Sequence, residues 1–124
     1  MFEVGIVGTF EAAHRLKGEF GPASNLHGHT YRVDVSVRGQ DLRSDGTLFD
    51  ITVLQSAVND TLSSLDYHDL DELPAFREGN STAEKVAHFI YGDVAPRLAG
   101  WGLRSLSIRV WESPAAFAGY EDNL

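Results

Sequence analysis

The chain contains no cysteine. Disulfide frameworks, cysteine-ligated zinc sites and thiol nucleophiles are therefore excluded. The absence leans toward a reducing, cytoplasmic setting, because nothing in the chain needs oxidation. Positive charge is also scarce: ten Lys and Arg stand against 18 Asp and Glu, a formal net charge of −8. A field of that sign repels polyanions, so no nucleic-acid partner is expected. A small phosphorylated ligand needs only a local basic pocket to oppose it. No apolar run approaches the roughly 20 residues of a membrane span. Met1 to Gly5 shows no basic segment leading into an apolar one, so no secretory leader is read there. Internal repeats and low-complexity segments are absent too.

What is present suits one domain over residues 1–124, with 43% hydrophobic residues to build a core. A core of this size buries a modest fraction of the surface, which favours association. Phe10 to Leu16 reads as a strand, with Phe10, Ala12, His14 and Leu16 on one face. Lys17 to Asn25 carries Gly18, Gly21 and Pro22 and reads as a loop. Thr30 to Arg38 is the clearest strand: Tyr31, Val33, Val35 and Val37 alternate with Arg32, Asp34, Ser36 and Arg38. A polar turn follows over Gly39 to Gly46. Asp50 then caps a helix whose apolar positions are Leu54, Ala57, Val58, Leu62 and Leu65. Leu65 to Phe76 is acidic and irregular. A second helix begins near Ser81, with a stripe from Ala83 to Leu98 that Pro96 kinks or shortens and Gly100 ends. Ser105 to Glu112 is the last strand. Strands, two helices and a strand predict an α+β domain, an antiparallel sheet with the helices packed on one side.

Two features carry chemistry. His27-Gly28-His29 directly precedes the Thr30 strand. If the strand extends backward, both imidazoles share a face, roughly 6–7 Å apart from a rise of about 3.3 Å per residue. Gly28 lets the backbone bend inward without a side-chain clash. His14 lies on the apolar face of the preceding strand, and antiparallel pairing across the Lys17–Asn25 loop brings it opposite the pair. Three neutral imidazoles with an open fourth position form a common catalytic zinc arrangement. The alternative is a core histidine at His14 and an exposed turn at His27–His29. Glu112 continues the row of Leu106, Ile108 and Val110, and a carboxylate on that side needs donors. A guanidine-like ligand edge, as in a pterin or guanine, supplies two. The alternative is a frayed strand end with Glu112 in water.

Phe10-Glu-Ala-Ala-His14-Arg-Leu16, Leu26-His27-Gly-His29-Thr-Tyr31, Phe49-Asp50, Leu65-Asp66-x-x-x-Leu70, Asn80-Ser-Thr-x-Glu84 and Glu112 follow one another in a single order. Together they resemble the 6-pyruvoyltetrahydropterin synthase / 6-carboxytetrahydropterin synthase family along almost the whole chain. The resemblance implies the T-fold (tunnelling fold), a four-stranded antiparallel sheet with two helices on one face. It implies a homohexamer built as a dimer of trimers, with active sites at subunit interfaces. It implies one zinc per subunit on His14, His27 and His29, a pterin gripped by Glu112, and further pterin contacts from Ser81 and Thr82. Glu84 is either one of these contacts or, as Ser81-x-x-Glu84, part of a capping box. The implied activity is that of a zinc-dependent lyase acting on 7,8-dihydroneopterin triphosphate, which in bacteria feeds 7-deazaguanine and queuosine synthesis.

The sequence departs from the family pattern at two places. The usual catalytic cysteine, four residues before the first histidine of His-Gly-His, is Ala23. The usual Asp-His pair reads Asp66-Tyr67, with His68 one residue later. Asp66, Tyr67 and His68 are therefore the catalytic candidates, His68 being either a displaced acid/base group or a surface histidine. Alanine accepts no proton, and a tyrosine with an unperturbed pKa of about 10 is a poor base at neutral pH. Glu19 is a further substitute, or simply a solvated loop acid. Two other readings accordingly stand beside the lyase: a diverged enzyme using the zinc site on another substrate, and a non-catalytic pterin-binding oligomer.

Overall fold

The computed structural model describes residues 1–124. Strand β1 runs over Phe2–His14 and turns back through a short 3-10 turn, Gly21–Ser24, into β2, His27–Gly39. Helix α1, Ile51–Ser63, follows. Then come a two-residue strand β3, His68–Asp69, and 3-10 turns at Leu70–Glu72 and Pro74–Phe76. Helix α2, Ala83–Val94, continues as a 3-10 turn over Ala95–Leu98. Strands β4, Ser105–Ser113, and β5, Ala116–Asn123, close the chain as a hairpin. The sheet order is β3-β1-β2-β4-β5. The four long strands pair antiparallel, and β3 adds a parallel fringe at Ala12 and Ala13.

The α+β expectation holds, with two helices on one face. Helix α1 lies over β1, and α2 lies over β4 and β5. Buried Phe10, Tyr31, Val33, Val35, Val37, Leu106, Ile108 and Val110 meet Leu54, Val58, Leu62, Val86 and Ile90 from the helices. The period of two in the strands and the 3.6 period in the helices place these side chains on one interface. Asp50 caps α1 as expected, its side chain accepting from the Thr52 amide at 3.0 Å. The other sheet face is polar and carries the ion pairs Arg32–Asp34 and Arg38–Glu3.

Several boundaries differ from the sequence reading. Strand β1 starts at Phe2 rather than Phe10; Gly5 and Gly8 dilute the alternation that would have marked its first half. Strand β2 begins at His27, so the backward extension that the histidine argument needed is present. Strand β5 was not read from the residues, because Ala116-Phe-Ala-Gly-Tyr-Glu-Asp-Asn123 is mostly exposed and only Ala118 and Tyr120 pack against the core. With β3 included the sheet has five strands rather than four. His68, expected in a loop, lies in β3. The cap of α2 is Thr82, whose hydroxyl accepts from the Lys85 amide at 3.3 Å, so a Ser81–Glu84 capping box does not form. Pro96 does shorten the second helix, which ends at Val94.

Candidate metal centre

The register of β1 against β2 determines where the histidines meet. His14 is paired with His27 and Ala12 with His29, so all three imidazoles leave the sheet on its core face at one end of the hairpin. Directly opposed residues in an antiparallel pair hold their Cβ atoms about 4.5–5.5 Å apart. The rings follow: centroids are 4.6 Å apart for His14 and His27, 4.9 Å for His27 and His29, and 5.2 Å for His14 and His29. One nitrogen from each ring lies within 4.8 Å of the others. Gly28 is not required by space, since a Cβ there would meet only the Ala12 carbonyl at 3.7 Å.

Hydrogen bonds on the far side of the rings suit a metal. His14 Nδ1 faces the Ser81 carbonyl at 2.8 Å, and His27 Nδ1 faces the Asn25 carbonyl at 2.7 Å. A carbonyl only accepts, so the ring proton sits on Nδ1 and Nε2 keeps its lone pair. Nε2 of His14 and Nε2 of His29 are both buried without any hydrogen-bond partner. Leaving a buried polar atom unpaired costs about 1–3 kcal/mol, and a shared cation removes that cost at both nitrogens. The three residues therefore fit a zinc ion with one open position. Burial, opposed in part by the Glu112 carboxylate, lowers the pKa of His29 below 6.5, which favours the neutral ligand form. Tyr31 adjoins the trio, its ring 5.2 Å from His29, and its buried hydroxyl has no partner. Burial first, and then the charges of Glu112 and Asp71, push its pKa well above the usual phenol value, so it stays protonated.

The other sequence-predicted residues fall into three places. Glu112 is half-buried and lines a cavity of about 140 Å³ with Ala83, Glu84, Ala116, Phe117 and Ala118. Two carboxylates, Glu84 and Glu112, thus border one apolar recess; with the capping box gone, Glu84 is free to face a ligand. Ser81 is fully buried, and its hydroxyl donates to Asp71 Oδ1 at 2.7 Å. It stands behind His14 rather than in a cavity, and its side chain is already spent. Thr82 follows as the helix cap.

Asp66, Tyr67 and His68 lie at the outer edge of β1. Asp66 Oδ1 accepts from the Glu11 amide at 2.8 Å, and the Tyr67 amide donates to the Glu11 carbonyl at 2.6 Å. Tyr67 is 83% exposed and holds a left-handed backbone, φ 57°, which non-glycine residues seldom adopt. His68 Nδ1 faces the Asp66 carbonyl at 2.9 Å, leaving Nε2 for chemistry. Tyr67 and His68 line a cavity of about 500 Å³ with Glu11, Gly28, His29 and Thr30. His68 shares that cavity with His29 but does not join the three-histidine cluster. Ala23 sits in the Gly21–Ser24 turn, its carbonyl accepting from Leu16, and Glu19 is exposed. Neither lines the cavity that His29 borders. Sequence reasoning missed Asp71, which ties Ser81 to the end of β1; nothing in its acidic surroundings singled it out.

A sequence profile of 6-pyruvoyl tetrahydropterin synthase matches residues 3–123. The chain belongs to this family. It is 31% identical to the 6-carboxy-5,6,7,8-tetrahydropterin synthase of Haemophilus influenzae, across 98% of this chain and 100% of that one. It is 30% identical to the 6-pyruvoyl tetrahydrobiopterin synthase of Drosophila melanogaster, across 90% of this chain and 74% of that one. The solved structure of Caenorhabditis elegans 6-pyruvoyl tetrahydropterin synthase has a TM-score of 0.84 to it at 26% identity, covering 98% and 95% of the two chains. The motif-based assignment to the 6-pyruvoyl tetrahydropterin synthase family, and the T-fold it implied, are borne out. The four long strands are the T-fold sheet, and β3 is a minor addition at its edge.

Proposed function

We propose that the chain is a zinc-dependent lyase of the 6-pyruvoyl/6-carboxytetrahydropterin synthase type, acting on 7,8-dihydroneopterin triphosphate or a close pterin relative. The observation that carries this reading is the convergence of three imidazoles, two of them with buried, unpartnered Nε2 atoms. Zinc bound there supplies Lewis-acid polarisation of a substrate oxygen. The chain's own residues do the rest. His14, His27 and His29 hold the ion with one position open. Glu112, with Glu84 beside it, accepts the paired N–H groups of the pterin ring, since a carboxylate matches such an edge bidentately. His68 moves protons through Nε2, its ring held by the Asp66 carbonyl, and Tyr67 borders the same cavity. Thr82 stands at the entry to α2 as its cap, while Ser81 supports His14 through its carbonyl. This reading takes residues 1–124 as one T-fold domain in a cytoplasmic setting. It also takes the active molecule as a homohexamer, because the outer edges of β1 and β5 lack strand partners over most of their length.

A second reading is favoured by one observation: the family's cysteine position is Ala23 and its histidine position is the exposed Tyr67. A metal- and pterin-binding frame with altered proton-transfer groups fits a diverged enzyme acting on another substrate, or a non-catalytic pterin binder. One experiment separates these. Zinc-loaded protein is incubated with 7,8-dihydroneopterin triphosphate and the products are followed by mass spectrometry. Turnover that His27→Ala abolishes supports the lyase. Absent turnover, with pterin binding that Glu112→Ala weakens at least tenfold, supports the binder. Absence of both supports the other substrate. Metal analysis finding no zinc in the wild type removes the basis of the first reading.

A further inference from the structure

Asp71 is neither a ligand nor a pterin contact in the reading above, yet it joins the three segments that surround His14. Its Oδ2 accepts from the Arg15 amide at 2.9 Å, directly after His14 in β1. Its Oδ1 accepts from the Ser81 hydroxyl at 2.7 Å, at the entry to α2. Its own amide donates to Asp69 Oδ1 at 3.0 Å, which seats it in the turn after β3. Ser81 in turn presents two oxygens to His14 Nδ1, the carbonyl at 2.8 Å and the hydroxyl oxygen at 3.2 Å.

The two Ser81 oxygens differ chemically. The carbonyl can only accept, whereas a hydroxyl donates or accepts according to where its proton points. Asp71 takes that proton. The Ser81 hydroxyl is then left as a second acceptor toward Nδ1, in agreement with the carbonyl. Without an acceptor at Asp71 Oδ1, the hydroxyl is free to turn and donate to Nδ1. That contact favours the opposite tautomer, in which Nε2 carries the proton and presents no lone pair to a metal. A ligand histidine depends on such outer partners for its tautomer and ring orientation.

We infer that Asp71 is a positioning residue for the metal centre, holding the Ser81 hydroxyl as an acceptor and so reserving the His14 Nε2 lone pair for the ion. The inference rests on the three-histidine metal reading. Asp71→Asn is the informative variant, because it keeps shape while removing one acceptor. Its carbonyl oxygen serves the Arg15 amide, so its NH2 group meets the Ser81 oxygen and turns the hydroxyl proton toward His14. Removing that hydroxyl in the same chain, as Asp71→Asn/Ser81→Ala, leaves only the Ser81 carbonyl at Nδ1 and restores the right tautomer.

The test measures zinc affinity by competition with a chromogenic chelator, and the His14 tautomer by long-range 1H–15N correlation in the metal-free protein. Wild type is expected to carry the proton on Nδ1. Asp71→Asn is expected to bind zinc about 10–100-fold more weakly and to show an Nε2-protonated population. The double variant is expected to regain both the wild-type tautomer and part of the affinity. A purely structural Asp71 would instead make the double variant bind worse than the single one, and that result overturns the proposal. So does zinc affinity within twofold of wild type in Asp71→Asn, or an Nε2-protonated His14 in the wild type. A wild type that binds no zinc sinks the metal reading alone; the tautomer comparison still decides the role of Asp71.

Discussion

His29 is both a candidate ligand and the histidine most affected by its surroundings. Burial lowers its pKa below 6.5, with smaller opposing help from Glu112. In the metal-free protein the folded chain therefore binds fewer protons at this site than the unfolded chain does. The stability that depends on neutral His29 is complete above about pH 6.5 and is lost as the pH falls below it, until the lowered folded value is reached. Urea midpoints of metal-free protein should drop from pH 7.5 to pH 5.5, and His29→Gln should flatten that part of the slope. A slope unchanged by the substitution would mean that other groups carry it. His29 was legible as an inward-facing residue from the alternation with Tyr31 and Val33. The missing partners on Nε2 were not, because they depend on what the fold leaves empty around the ring.

At the scale of elements, the entry to α2 separates two neighbouring hydroxyls with different work. Thr82 caps the helix through its hydroxyl, while Ser81 is turned inward to Asp71 and His14. Thr82→Ala should cost about 1 kcal/mol of stability in urea titration, the usual worth of an N-cap, and leave zinc affinity unchanged. Weakened zinc binding in Thr82→Ala would show that cap and metal centre are not separable. The sequence suggested a cap one residue early because Ser81-x-x-Glu84 fits the capping-box pattern, whereas the real cap, Thr82, is followed three residues later by Lys85 and does not. Burial decided between them: a fully buried serine with a carboxylate partner cannot also turn out to cap the helix. The same competition hid β5. Its residues are mostly exposed and only Ala118 and Tyr120 reach the core, so its strand state leans on pairing with β4 more than on its own pattern.

Across the whole molecule, two sheet edges stay open. Strand β3 covers β1 only at Ala12 and Ala13, and Asp66 and Tyr67 cover Glu11. By the period of two along a strand, Thr9, Val7 and Gly5 turn their backbone groups to the same uncovered side. Exposed edges of this length are templates for pairing with another chain, and the outer edge of β5 is likewise without a strand partner. Val7→Pro removes one edge amide without touching the core, since Val7 is 59% exposed. Light scattering should find the wild type as a hexamer and the variant as smaller species with native far-UV dichroism. A variant that keeps the wild-type mass would place the association elsewhere. The cavity beside Tyr67 and His68 opens on this same edge, so dissociation should also lower any turnover that needs both copies.

The sequence by itself determined the layers and the face on which the three histidines lie. Periods of two and 3.6 assigned β2, β4, α1 and α2 to one shared core. Alternation placed His14, His27 and His29 on inward-facing positions, because it decides a side chain's face without reference to distant residues; it left a core histidine and an exposed turn as the alternative, and only the family resemblance implied them as a ligand set. Only the tertiary structure decided what stands behind those histidines. The Ser81 carbonyl reaches His14 from 67 residues away in the chain and the Asp71 carboxylate reaches the neighbouring Arg15 amide from 56, and contacts of that separation are decided by packing. It likewise decided that Asp66 secures the edge of β1, that Glu84 borders the recess of Glu112, and that His68 lies in the cavity beside the trio. Local pattern controls which way a residue faces; which partners it meets there depends on how distant parts of the chain come together.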